Sequence, residues 1–409
     1  MSGSARITIN GYELISWQDT YNKWYFRNDD EKINILDSGL GVDDKTIFGY
    51  RASVDTIRRR LQLDGYDLRS AEKDFYDTKL LWVRDILDTL ELDRVETKRL
   101  GKFLLPEDLY HINEDYKILK EVDFKTWIEK IPEALKLMKD KKRGDIPNRE
   151  SWDPLLYFML SLPCGVHNEN YGFVGALFPS KHMESYAAVL LSLSKDDDKC
   201  VLNASGLLSN GWSEFINEQG QTQASETKFY NDFLDSLLEL SMLNQESKNP
   251  LIQRMIYSNA ITSMESYLSE TMKRHVINRH AIKRRFIETH TVFNKNIKES
   301  DVFGFMDGLD KRLSEEIDKI SFHNIGTARD LYNNVLLCDF PEDKLSDLAN
   351  CIKVRHDIVH RNGKSTDGFI VSVTQDDVEM VIHLVHKIIE YIDKQIISGL
   401  PDDKMNIVK

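Results

Sequence analysis

The sequence predicts an α+β chain that is mostly α: a small β-containing N-terminal module, a mixed middle region and a C-terminal all-α helical bundle. Three observations carry this. Arg6-Ile7-Thr8-Ile9 alternates polar and apolar residues, Asn10-Gly11 is a hairpin-turn dipeptide, and Tyr12-Glu13-Leu14-Ile15 resumes the apolar pattern. From Ser53 to about Asp140 apolar residues recur at helical spacing. After Pro250 they do so again, more strongly and almost to the end of the chain.

Taken in order, the opening alternation gives two short strands in the first 30 residues. Val54, Ile57 and Leu61 then start a helix that Gly65 stops, Leu68-Arg69-Ser70 leads into another, and "DTKLLWVRDILDTLELD" is amphipathic over several turns. The run from Lys136 to Pro154 is charged and carries Gly and two prolines, which places a boundary there and gives an N-terminal domain over 1–145. Residues 146–249 form the mixed middle domain, whose runs "GFVGALF" and "YAAVLLSLS" are buried strands or helix segments that periodicity does not separate. Within it, "KDDDK" (Lys195 to Lys199) reads as an acidic surface turn and "NEQGQTQASE" as a polar loop. "LNQESKNP" (Leu243 to Pro250) marks the second boundary, and 250–409 is the helical bundle.

In that bundle Ile252, Met255, Ile256, Ala260, Met264 and Leu268 trace the apolar face of the first helix. Further helices fit 301–320, 326–338 and 342–361, the last with an apolar stripe of Leu345, Leu348, Ile352 and Val359 and with Ala349 and Ile358 beside it. "DDVEMVIHLVHKIIEYIDKQI" closes a five-helix bundle, with Asp376 or Asp377 as N-cap.

The chain has 409 residues, of which 41% are apolar and 10% aromatic, enough to bury more than one core. Cys164, Cys200, Cys338 and Cys351 lie far apart without CxxC pairing, which points away from a disulfide framework or a zinc knuckle. The opening "MSGSARITINGYEL" has neither a signal nor a transit pattern, and no apolar run reaches the length of a membrane span, so a cytoplasmic protein with no membrane partner is expected.

A net charge of −13 argues against a nucleic-acid binder held by bulk electrostatics. Its distribution is uneven: residues 251–409 hold 22 Lys+Arg against 24 Asp+Glu, a balance of −2, which leaves −11 on the first 250. The run from Lys273 to Lys298 holds eight Lys+Arg (among them Lys273, Arg274, Arg279, Lys283, Arg284 and Arg285) against Glu288 alone, and reads either as a solvated helix face or as a polyanion-binding face. No Gly-rich phosphate loop, GxSxG elbow, HExxH or calcium loop occurs, which removes most common enzyme classes. His383 and His386 are one turn apart but have no carboxylate at matching spacing, so no metal site and no cofactor are expected.

The chemistry concentrates in "CIKVRHDIVHRNGK" (Cys351 to Lys364), where two arginines and two histidines fall within seven residues at a helix end. Cations there are favoured by the helix dipole and Gly363 supplies a left-handed cap, so a structural role is one reading. The other is catalytic. Arginine offers phosphate a permanently charged planar fork, and histidine transfers protons near neutral pH; cleavage of an RNA phosphodiester needs both. Arg355 and His360 are five residues apart, so their Cβ directions differ by roughly 140° and a long arginine bridges that only partly.

Arg355-His356-Asp357-Ile358-Val359-His360 resembles the RX4-6H motif of HEPN domains, with a polar residue, His356, directly after the arginine. Met264-Glu265-Ser266-Tyr267-Leu268 resembles the pattern of the first long HEPN helix, and the likeness covers about residues 250–398. The N-terminal part is similar to the domain that opens HEPN/Toprim-associated proteins of prokaryotic conflict systems, through Gly11-Tyr12-Glu13-Leu14 and then Ile57, Arg60-Leu61, Gly65-Tyr66, Ala71 and Phe75.

These resemblances imply a metal-independent endoribonuclease that acts in anti-phage defence as a toxin of abortive infection, cutting cellular RNA such as tRNA. The resemblance also implies a site that would be completed across a two-fold homodimer. Arg355 would stabilise the phosphate and the transition state, His360 would act as general acid or base, and His356 would orient or contact substrate. Glu265 would anchor Arg355, with Asp357, Arg361 and Asn362 in support, and the basic run would track the RNA backbone. A partner protein or a phage-derived activator would release the enzyme. The alternatives are a non-catalytic HEPN scaffold or sensor that binds a partner nuclease or nucleotidyltransferase, and a DNA-binding regulator, which the net charge weakens.

Overall fold

The computed structural model describes residues 3–33, 49–140, 152–161, 165–208 and 226–399. Most of the Lys136 to Pro154 boundary, nearly all of the "NEQGQTQASE" loop, and Cys164 lie outside them. The chain divides into two compact units, one of Met1–Gln62 with Tyr66–Gly220, the other of Leu63–Gly65 with Gln221–Lys409.

The first unit is built on an antiparallel sheet of β1 (Ser4–Ile9), β2 (Tyr12–Gln18), β3 (Glu31–Lys32), β4 (Gly49–Ser53) and β5 (Lys199–Asn203), in the order β2-β1-β5-β4-β3. The hairpin predicted from Asn10-Gly11 forms, with both residues left-handed (φ 49° and 77°), the conformation a tight hairpin turn requires. The central strand, β5, comes from a segment about which local pattern says nothing, because its partners lie more than a hundred residues upstream. Cys200 and Leu202 on it are fully buried.

Helices α1 (Val54–Leu63), α2 (Leu68–Leu100), α3 (Pro106–Glu121), α4 (Phe124–Asp140), α5 (Pro154–Leu160), α6 (Met183–Ser192) and α7 (Ser205–Leu208) complete this unit. Asp67 and Ser70 form a reciprocal capping box at the start of α2, and Gly101 ends it at φ 83°. Phe75, Trp82, Trp127, Phe158 and Phe178 make the aromatic centre of the core. Of the two ambiguous apolar runs, "YAAVLLSLS" lies mainly in α6, a helix buried nearly all round, and "GFVGALF" contains a short 3-10 turn at Gly175–Leu177. Polar groups inside the unit close on one another. Arg60 forks onto Asp30 with bonds of 2.7 and 2.8 Å, and Asp85 accepts from the His167 backbone and the Asn170 amide.

The second unit is all helix: α8 (Lys228–Glu246), α9 (Pro250–Asn278), α10 (His280–Thr289), α11 (Val302–Asp307), α12 (Leu309–Asp318), α13 (Ile325–Leu331), α14 (Leu345–His360) and α15 (Gln375–Gly399). It therefore holds more helices than the five expected: α8 joins α9 and α15 from before Pro250, α10 follows a break at Arg279, and 301–320 divides at Gly308. A five-residue π-turn, Tyr332–Leu336, continues α13, and its Tyr332 hydroxyl donates to the Leu268 carbonyl at 2.8 Å. Buried Asp393 on α15 ties three elements by accepting from Thr227 N, Thr227 Oγ1 and Tyr267 OH; burial raises its carboxyl above the usual range despite these bonds.

Three details differ from the sequence expectation. Met255 is 57% exposed, because it lies about 100° round the helix from Ile256, which is on the buried seam. On α14, Ala349 is exposed and Val359 is 49% exposed, since both lie off the narrow face that carries Leu348, Cys351 and Asp357. The N-cap of α15 is Thr374 rather than Asp376 or Asp377: the Thr374 Oγ1 accepts from Asp377 N while Asp377 Oδ2 accepts from Thr374 N, a reciprocal box that places the aspartate one turn inside.

Candidate active site

Helix α14 buries only a narrow face, centred on Leu348 and Cys351, and its second half carries the charged cluster. Arg355, one turn beyond Cys351, turns towards α9, where its Nη2 lies 3.7 Å from Glu265 Oε1; the two side chains are 14% and 19% exposed. The same carboxylate oxygen is 3.3 Å from Nδ1 of His323, which comes from the loop before α13. Neither contact makes a hydrogen bond, and the buried Arg355 Nε and Glu265 Oε1 both stay without one. A permanently charged group held by a single long contact retains most of its donors for another anion.

His356 and His360 occupy the adjoining face, both exposed, with ring centroids 4.7 Å apart. No hydrogen bond or ion pair joins Arg355 to His360 among the described residues, as the angle between their Cβ directions anticipates.

The helix then ends tightly. Arg361 pairs with buried Asp357, Asn362 and Gly363 turn left-handed (φ 52° and 75°), and Gly363 N donates back to the Asp357 carbonyl at 3.0 Å. A Cβ at Gly363 would lie 3.3 Å from Nε of Arg254 on α9, so that side chain packs close against the turn. The chain beyond the turn carries Phe369 and Ile370, 75% and 73% exposed, which with Val359 leave an apolar surface in the same stretch of sequence as the histidines.

Residues 1–228 match the family model described as HEPN/Toprim N-terminal domain 1, which is more than half of the 409-residue chain. The chain belongs to this family. HEPN/Toprim membership supports a role in nucleic-acid metabolism or defence. No curated protein and no solved structure gives a match.

In this HEPN/Toprim-family chain the basic run is less open than its composition implies. Lys273 is paired with Asp318 at 2.9 Å, Lys283 with Asp310 at 2.5 Å and Arg284 with Glu288 at 2.8 Å. Arg274 lies over the Phe229 ring, and Arg279 and Arg285 are engaged as well. His275, inside the same run, is buried, and burial together with Arg279 and Arg274 pushes its pKa down to about 3. His386 meets the Tyr230 hydroxyl at 3.2 Å, and burial lowers its pKa, while His383 is exposed. Among the described residues no group of three or more His, Cys, Asp or Glu side chains is arranged to hold a metal ion. No described helix is long and apolar enough to cross a membrane.

Sequence reasoning missed two residues near the motif, His323 and Arg254. Neither had a signal to find. His323 sits in a short loop and Arg254 in a helix about a hundred residues upstream, and only the packing of α9 brings them to α14.

Proposed function

We propose that this protein is a metal-independent endoribonuclease of the HEPN type that acts in anti-phage defence. The observation that carries the reading is the division of labour at the end of α14: an arginine held against a carboxylate with donors to spare, beside two exposed histidines. In this chemistry an RNA 2′-hydroxyl loses its proton and attacks the adjacent phosphorus, the 5′-oxygen leaves with a proton, and a 2′,3′-cyclic phosphate remains. Arg355 stabilises the charge that builds on the phosphoryl oxygens, and His360 transfers a proton, with His356 beside it to orient the ring or contact substrate. Asp357, Arg361 and Asn362 hold the turn that fixes the helix end.

A single copy places Arg355 and His360 on different faces of α14, whereas a two-fold axis brings two copies of each to one cleft. The exposed Val359, Phe369 and Ile370 are the apolar surface such a homodimer would cover. The N-terminal unit would restrain the nuclease in the cytoplasm until a phage cue or partner protein releases it, with tRNA or other cellular RNA as target.

Purified protein is tested on tRNA, together with Arg355→Ala and His360→Ala. Loss of cleavage in both variants, with unchanged circular dichroism, supports the reading; retained cleavage in either overturns it. One observation favours the scaffold alternative, namely the ion pairing of Lys273, Lys283 and Arg284 within the bundle, which leaves less charge for RNA. Toxicity that depends on a partner nuclease or nucleotidyltransferase would decide for it.

A further inference from the structure

Glu265 has an unusual position: one carboxylate oxygen, buried and without a hydrogen bond, lies between two cationic or potentially cationic groups from two other elements. Arg355 approaches from α14 and His323 from the loop between α12 and α13. His323 is itself held. The Ser321 hydroxyl lies 2.8 Å from its Nε2 and 3.0 Å from its Nδ1, and Asn324, next in the chain, caps α13 through the Thr327 backbone. The imidazole is 38% exposed at the edge of the site.

We infer that His323 and Glu265 act as a positioning pair for Arg355, a role that rests on the ribonuclease reading above. Arginine carries five donors on a long flexible stem, and a phosphate is clamped well only if the fork arrives in one orientation. Glu265 occupies one edge of that fork. A carboxylate so placed would follow the arginine wherever it moved unless something held it, and His323 supplies the hold. An Nδ1–H on His323 would face the Glu265 oxygen at 3.3 Å, the same oxygen that Arg355 approaches, and give the carboxylate a second contact from another element. The guanidinium then meets RNA with its terminal N–H groups, its Nε being buried. His323 touches no substrate in this scheme; it acts through Glu265.

The test uses the full-length protein and four variants: His323→Ala, His323→Asn, Glu265→Gln and the His323→Ala/Glu265→Gln double. Asparagine can place its amide nitrogen where Nδ1 stands, so it should retain the contact that alanine removes. His323→Ala is expected to lower kcat about tenfold with KM within about twofold, the signature of a group felt in the transition state rather than in binding. His323→Asn should recover most of that loss. The double variant should be no worse than Glu265→Gln alone, because the two residues act as one unit. Unchanged kcat in His323→Ala, or additive losses in the double variant, would overturn the inference.

A second readout does not depend on cleavage. Arginine-directed modification with phenylglyoxal, read at Arg355 by mass spectrometry, should run several-fold faster in His323→Ala and in Glu265→Gln than in the wild-type protein, with equal melting temperatures. If the wild-type protein leaves RNA intact, the ribonuclease reading fails, and this measurement still decides the pair: equal modification rates in all proteins would remove it.

Discussion

The two units each contain an arginine held against a carboxylate away from solvent, and the two pairs are built differently. In the N-terminal unit Arg60 and Asp30 are 3% and 7% exposed and join through two short bonds, with Tyr25 O accepting a further one from Arg60 and Arg27 N donating another to Asp30. In the C-terminal unit Arg355 and Glu265 meet through one 3.7 Å contact, and each leaves a buried polar atom without a hydrogen bond. A closed, doubly bonded pair fixes the structure around it. An open one keeps donors available for a further anion. The two pairs therefore differ in how much of each guanidinium is already engaged.

The widest separation between the two pairs should appear on removing each arginine. Arg60→Ala leaves Asp30 buried and uncompensated and should cost about 3–5 kcal/mol of stability, seen in thermal or urea unfolding of the N-terminal unit. Arg355→Ala should change stability by no more than about 1 kcal/mol, the scale of one ordinary hydrogen bond. Its effect belongs to catalysis, where cleavage should fall by about 10²–10³, the usual loss when a transition-state donor is removed. Equal stability losses in the two variants would erase the contrast.

A smaller effect concerns pH. His275 has a folded-state pKa of about 3 against 6.5 for the free side chain, so below 6.5 the unfolded chain binds more protons than the folded one. Stability from this group is complete above 6.5 and declines as pH falls towards 3, by about 1.4 kcal/mol per unit in that window. Melting temperatures of the wild-type protein should therefore drop more steeply between pH 6.5 and 4 than those of His275→Gln. Parallel curves would show that the buried ring is not the source.

How much of this was legible in the sequence depended on whether the partners of a residue were near it in the chain. The Asn10-Gly11 hairpin and the helices from Val54 onwards follow from local spacing, and the structure has them. Strand β5 does not, because its five residues become a strand only by pairing with β1 and β4. The motif between Arg355 and His360 stands out as a cluster, whereas His323 and Arg254 become visible only when α9 is packed against α14. Composition also overstated the basic run: reading Lys273 to Lys298 gave its charge but not Asp318 and Asp310, which partner it from α12.

That last point sets the smallest expected effect. Lys273→Ala breaks an exposed pair and should change stability by about 0.2–1 kcal/mol. If the run nevertheless tracks RNA, the same variant should weaken RNA binding and flatten its salt dependence, measured by filter binding between low and moderate salt.

The claim that the end of α14 cleaves RNA is met head-on by inducing the wild-type protein and the Arg355→Ala/His360→Ala variant in cells, with and without phage, and sequencing the RNA ends. The account predicts fragments with 2′,3′-cyclic phosphate termini in phage-infected wild-type cells and intact RNA in the variant. Intact RNA in both, with equal protection from phage, would contradict it and make the cluster a structural helix end.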